Sequence, residues 1–205
     1  MPTTADDRFR HDPARGVVEA ADGRRVLRVT EDFLAGLLEG LDAEVGDAAA
    51  AVAYQCGYEW GQEDLRSFTS RAREQFETDV EKLPLGVALE SWWAPLVAAG
   101  WGRWQYDFVQ AKKGVILVDL RGSAVAAAAG PVGRPVCHLY TGLFAACFTT
   151  LSKRQLAGVE IQCAAAGAES CKILVSTRKQ LDKVAAWRRD GATAAEVVQH
   201  LSKGQ

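Results

Sequence analysis

Apolar and polar positions along the chain sort into helical and strand periods. Residues 1–13 carry no sustained period and read as a frayed end, and residues 17–29 hold two short β-prone runs around Asp22-Gly23, a dipeptide suited to a tight turn. Thr30 then precedes a run in which Phe33, Leu34, Leu37, Leu38 and Leu41 recur at helical spacing, with Glu31 and Asp32 in the first turn. Gly46 and Asp47 break this helix, and a second is expected from about Ala48 to Gly61. Residues 68–83 read as a half-exposed helix with Phe76, Val80 and Leu83 on its apolar face, and residues 85–99 as another, bounded by Pro95 and Gly100.

The period changes after Gly100. Trp104, Tyr106 and Phe108 share one face at strand spacing, Lys112-Lys113-Gly114 is a turn, and Val115 to Leu120 is a buried strand, so an antiparallel hairpin is expected. Residues 130–135 read as loop and 136–151 as a helix. Val159 to Cys163 and Cys171 to Val175 are short strands, Thr177 caps a helix through Trp187, and residues 190–205 are a weak tail or short helix. The order of helices, strands, helix, strands and helix predicts an α+β fold with helices on an antiparallel sheet. The boundaries are an N-terminal extension over 1–24, a central domain over 25–178 and a C-terminal helix and tail over 179–205.

Composition adds exclusions. The 205 residues are 48% hydrophobic and 24% charged, the balance of a globular chain. A formal charge of -2 gives little support to non-specific nucleic-acid or anionic-membrane binding. The apolar stretches, Ala124–Pro131 and Leu143–Phe148, are far shorter than the ~20 residues of a membrane span. The polar N-terminus resembles no signal peptide, so a cytoplasmic location is expected. Five cysteines need not pair as disulfides; in a reducing compartment they serve burial, metal ligation or catalysis.

The chemistry concentrates in Cys137, Glu160, Cys163 and Cys171. Three thiolates and a carboxylate make a tetrahedral zinc site, and a helix start at Cys137 favours the thiolate. The bland alternative is that the cysteines are small buried hydrophobes and Glu160 lies on a wet face. Two conditions attach to the zinc reading. Glu160 and Cys163 would point to opposite faces of a regular strand, so a bulge, or a strand ending before Cys163, is needed. A zinc site of this composition is formally -2 and needs backbone N–H groups, or Arg134 or Lys172, to offset it. His138 adjoins Cys137 but ranks below the other four as a ligand or base.

The segment from Cys137 to Val175 resembles the closing part of the 4-vinyl reductase domain family, found alone and as the sensor of XylR-like and DmpR-like activators. The resemblance rests on Cys137, Tyr140 and Gly142, on VEIQC, and on AAGAESC before an apolar strand. Tyr54, Gly57, Tyr58 and Gly61 resemble the Tyr/Gly signature of the family's early helix; the resemblance spans 25–178 and is strongest over 135–176. In phenol-sensing members a cysteine, a glutamate and two further cysteines hold zinc, with two residues and then seven between the last three. Here two residues separate Glu160 from Cys163 and seven separate Cys163 from Cys171, so the resemblance implies zinc on Cys137, Glu160, Cys163 and Cys171.

It further implies a fold similar to the small subunits of the TRAPP tethering complex, with an apolar pocket between sheet and helices. The candidate pocket residues are Trp92, Trp93, Trp101, Trp104, Tyr106 and Phe108, all of which also serve as ordinary core. Phenol sensors use a pocket histidine; this chain has only His11, His138 and His200, none between 85 and 120. The implied function is a stand-alone zinc-containing sensory domain for a small hydrophobic or aromatic molecule. It would act as a homodimer, with residues 28–61 as the interface, and signal through a regulatory partner. The alternatives are a TRAPP-like assembly protein, or an enzyme or accessory factor acting on a tetrapyrrole or aromatic compound. The enzyme reading is the weaker, because a site with four protein ligands leaves no open position, and no phosphate-binding loop is present.

Overall fold

The computed structural model describes residues 9–20 and 23–203, apart from the side chains of Gln75 and Phe76. It opens with an antiparallel sheet of β1 (Phe9–Asp12), β2 (Val17–Ala20) and β3 (Arg25–Val26), in that order. The expected β2–β3 hairpin is present, with Gly23 at φ +80°; Asp22 lies outside the described residues, as do residues 1–8. Residues 9–12 are not frayed: they pair with β2, and Arg10 faces Glu19 across the ladder and forms an ion pair with it.

Helix α1 (Glu31–Val45) starts at Thr30, which holds the extended N-cap conformation although its hydroxyl makes no cap bond. Its five-residue apolar stripe is not buried as a unit. Leu34, Leu38 and Leu41 are half-buried, whereas Phe33 and Leu37 are 58% and 56% exposed. Helix α2 runs unbroken from Ala49 to Phe76, where two helices with a gap at 62–67 were expected. That gap contains no glycine or proline, and Leu65 within it is buried in the core. A left-handed Glu77 ends α2, and Val80 is buried on a short 3-10 turn rather than on a helix reaching 83. Helix α3 (Leu85–Ala98) carries Pro95 in its last turn.

The main sheet contains β4 (Arg103–Asp107), β5 (Val115–Arg121), β6 (Ala157–Gln162) and β7 (Cys171–Ser176), all neighbours antiparallel, in the order β4-β5-β7-β6. A short α4 (Ala124–Ala129) follows β5, capped by Ser123 Oγ, which accepts from the Ala126 N–H at 3.0 Å. Helix α5 (His138–Ser152) touches α2, β6 and β7, and every residue from Tyr140 to Phe148 is buried. That explains its all-round apolar sequence: it lies between a helix and a sheet.

Alternation along β7 divides two cores. Cys171, Ile173 and Val175 join the core around α5, while Leu174 joins a second with Leu181, Val184, Val197 and Leu201. The last four belong to α6 (Arg178–Arg189) and α7 (Ala194–Lys203), which cover the other face. Helix α7 is firmer than a weak tail because Thr193 and Glu196 form a capping box: each backbone N–H is bonded by the other's side chain, at 2.7 and 3.2 Å. The architecture is the expected α+β class. Among the described residues no helix is long and apolar enough to cross a membrane.

Candidate functional site

Four side chains from three segments converge beneath α5. The β6–β7 register slips between Glu160, opposite Ile173, and Gln162, opposite Lys172. Ile161 is thus the extra residue of a bulge, and the strand ends before Cys163. Both devices required by the spacing are present, and they bring Glu160 and Cys163 to one side. A 3-10 turn over 164–166 and a left-handed Gly167 return the chain so that Cys171 opens β7. Cys137 is the N-cap residue of α5, one position before the helix itself. The ligand atoms of Cys137, Glu160, Cys163 and Cys171 lie within 4.8 Å of one another, and all four residues are buried.

The donor set fits a tetrahedral thiophilic ion. Sulfurs bound at ~2.3 Å in a tetrahedron stand ~3.8 Å apart; here Cys137 Sγ and Cys171 Sγ are 3.4 Å apart, and Cys171 Sγ and Cys163 Sγ 4.0 Å. Glu160 Oε2 accepts the Cys137 N–H at 2.8 Å, but Glu160 Oε1 is buried without a hydrogen-bond partner. An orphaned carboxylate oxygen facing three thiols is a costly arrangement that a cation satisfies.

The protonation pattern has the same origin. Burial pushes the Glu160 carboxyl up to about 8, helped by the adjoining Cys163. The Cys163 thiol is held far below its usual range by bonds from Cys137 and Cys171, and the Cys137 thiol is driven up by those contacts and by burial. The Cys137 contact pulls Cys171 down, but Cys163 and burial outweigh it and leave that thiol at about 12. One negative charge is thus tolerated without a metal, and four are not.

Local dipoles, not the expected side chains, offset that charge. The Ala164 N–H reaches Cys171 Sγ at 3.3 Å, and Ser123 Oγ lies 3.2 Å from Cys137 Sγ. Arg134 is instead paired with Asp42 on α1, and Lys172, next to Cys171 on a strand, faces the other way. Ser123 carried no sequence signal, since it sits on the turn before α4. His138 is separate from the four-residue cluster and lines a cleft of about 120 Å³ between α1 and α4.

The six candidate aromatic residues fall into two groups. Trp93 on α3 lies 5.0 Å from Trp104 and 6.5 Å from Tyr106 between ring centres, and Tyr106 lies 5.9 Å from Phe108. Trp92 stacks 3.9 Å from Trp93 and donates its indole N–H to Asp64. Trp101 stands apart: it packs on Trp60, and its carbonyl accepts the Tyr140 hydroxyl. Sequence reading missed Phe144 and Phe148 of α5, which complete the wall against Trp93 and Tyr106. The Trp93 and Trp104 indole nitrogens and the Tyr106 hydroxyl are buried without hydrogen-bond partners. Burial drives the Tyr106 phenol far above its usual range.

Glycines fix α5 over this assembly. A Cβ on Gly57 would stand 1.8 Å from the Leu139 carbonyl oxygen, and one on Gly142 would stand 1.9 Å from that of Tyr54. Gly61 meets the Leu143 carbonyl at 2.8 Å by the same construction. The Tyr/Gly pattern of α2 is therefore a backbone-to-backbone contact with α5, whose first turn follows directly on Cys137 and whose middle carries Phe144.

Comparison with known proteins agrees with this geometry. Residues 116–177 match the 4-vinyl reductase domain family model. The fold is similar to that of the phenol-responsive sensory domain of the transcription activator PoxR, solved with phenol. There the TM-score is 0.65 and the identity 17%, over 84% of this chain and 86% of that one. It is also similar to trafficking protein particle complex subunit 3 from Naegleria fowleri, covalently bound to palmitic acid, at a TM-score of 0.51 and 11% identity over 71% and 93% of the two chains. No curated protein matches the chain.

Proposed function

From a chain that carries a 4-vinyl reductase domain over residues 116–177, we infer a zinc-containing sensory domain that binds a small hydrophobic or aromatic molecule and, as a pair of subunits, presents the result to a partner protein. The observation that carries the ligand reading is the trio of buried, unpartnered polar groups at Trp93, Trp104 and Tyr106 inside an aromatic wall. A core that only needed packing would not leave three such groups unsatisfied. An indole N–H only donates, so the ligand presents an acceptor oxygen to the tryptophans, while Tyr106 can donate or accept. The phenol of PoxR is of that general kind, but none of this chain's described histidines belongs to the aromatic wall: His138 lies by α1, and His200 stacks on Trp187.

Zinc would be held by Cys137, Glu160, Cys163 and Cys171, supplying a fixed crosslink rather than a Lewis acid, since all four positions are filled. These residues tie the start of α5 to the β6–β7 hairpin, and α5 in turn supplies Phe144 and Phe148 to the aromatic wall. Native mass spectrometry of protein purified without added metal tests the reading. One zinc per chain with a co-purified organic mass is expected. Metal-free, ligand-free protein that binds no aromatic carbonyl or phenol by calorimetry would overturn it. Zinc without any organic mass or ligand uptake would favour the assembly reading, which the fold shared with the trafficking-complex subunit supports.

A further inference from the structure

Helix α1 has two unlike faces. Ala35, Leu38, Leu41 and Asp42 look inward onto Ala128 and Ala129 of α4 and onto Val136. The opposite face carries Phe33, Gly36, Leu37 and Gly40 at the i, i+3, i+4, i+7 spacing of a single stripe. Phe33 and Leu37 are more than half exposed, and a Cβ on Gly36 or Gly40 would meet nothing within 4 Å. Just beyond the helix ends, Leu27 is 80% exposed, Val29 46% and Val45 41%. No residue of α1 is fully buried, so a 15-residue helix with five large apolar side chains is half-finished within one subunit.

We propose that this outer face pairs with the same face of a second copy of the chain, antiparallel, about a two-fold axis between Gly36 and Leu37. The sequence is self-complementary in that register alone: Phe33 meets the partner's Gly40, Leu37 meets the partner's Gly36, and the two-fold repeats both contacts. The glycines let the helix axes approach closely while the large side chains fill the notches. Beyond this core, the register sets Arg28 beside Glu44 of the partner subunit and Leu27 and Val29 beside the partner's Val45. Arg28 and Glu44 are exposed, and the Arg28 guanidinium already lies over Phe9, 5.0 Å from its ring centre. The remaining acids of α1, Glu31, Asp32, Glu39 and Asp42, fall off the stripe, so no like charges face one another at its centre. Antiparallel helix dipoles add to the pairing.

The inference rests on the pairing of subunits invoked above but on neither ligand nor metal. It is tested by sedimentation equilibrium of the full chain at micromolar concentration. The wild-type chain should have twice the 22.1 kDa mass of one subunit. Leu37→Asp should be monomeric with unchanged circular dichroism, because Leu37 supports nothing in its own subunit. Gly40→Leu should weaken the dimer by about tenfold or more through overpacking against the partner's Phe33, while raising helix propensity in the monomer. Arg28→Glu and Glu44→Arg should each weaken the dimer, and the double variant should restore it. A monomeric wild type would overturn subunit pairing altogether. A dimer that Leu37→Asp and Gly40→Leu leave intact would overturn this face while leaving pairing through another. Failure of the double variant to recover would overturn the register.

Discussion

The indole N–H of Trp92 donates to Asp64 Oδ2 at 2.7 Å, and the other oxygen of that buried carboxylate accepts from Arg24 at 2.5 Å. One side chain of α2 thus ties α3 to the N-terminal sheet. Replacing Asp64 by alanine would leave the Trp92 donor buried and unpaired and release Arg24. A loss of about 2–3 kcal/mol in unfolding free energy is expected by denaturant titration. Asp64→Asn, which keeps an acceptor for Trp92, should cost less.

Gly57→Ala should be among the most damaging small substitutions in the chain. The added methyl carbon would fall 1.8 Å from a backbone oxygen of α5, which has no flexible end to move aside. A cost of about 3 kcal/mol is expected, with α5 displaced rather than repacked. Gly36→Ala, also within a helix but with open space around it, is the control and should not lower the stability of the monomer.

Cys163→Ala should reduce zinc content and stability together. With one ligand gone, the β6–β7 hairpin is no longer crosslinked to Cys137, and the melting temperature should fall by about 10 °C or more. Normal zinc content with an unchanged melting curve would show that the cluster is only a group of buried thiols.

Stabilisation by zinc should weaken as pH falls. Without metal, the Glu160 carboxyl is held at about 8 by burial, and the Cys137 and Cys171 thiols are held above their usual range. Zinc needs all three deprotonated, so it releases protons on binding. Each proton released makes the difference between loaded and stripped protein about 1.4 kcal/mol smaller per pH unit of acidification. The Glu160 contribution alone acts in the opposite sense on stripped protein. Its folded pKa is raised, so its contribution is fully present below the unfolded value of ~4.3 and lost as pH rises through about 8. Melting curves of zinc-loaded and chelator-treated protein should therefore diverge from pH 5 to pH 8.

Tyr106→Phe removes only a buried hydroxyl that has no partner. The ligand-free chain should keep or gain stability, since up to about 1–3 kcal/mol of unmet desolvation disappears. Binding of an aromatic probe should weaken in the same variant. Opposite signs on stability and binding separate a recognition hydroxyl from a core one.

The sequence was most readable where one local rule decided the outcome. The Cys-Glu-Cys-Cys spacing announced a cluster, and the opposite-face objection announced the bulge at Ile161 before it was seen. Alternation at Trp104, Tyr106 and Phe108 gave their shared face. What could not be read depended on partners distant in the chain. The outward turn of Phe33 and Leu37 is set by α4, almost a hundred residues later. The continuity of α2 through 62–67 is set by burial of Leu65, not by a local signal. Arg134 was expected beside the thiols because it is near them in sequence, and Asp42 claims it instead. Ser123 reaches Cys137 only through the turn that precedes α4.

The glycine contacts between α2 and α5 have a mechanical consequence. Two helices whose backbones touch at Gly57, Gly61 and Gly142 mesh like a gear in its rack: neither can slide along the other without lifting out of contact. Any rearrangement that admits a molecule among Trp93, Trp104 and Tyr106 must carry α2 and α5 as a single part, together with the thiols at the head of α5. Compliance is then left to the opposite wall, α3 and the edge strand β4, and the route by which a ligand enters should be sought there.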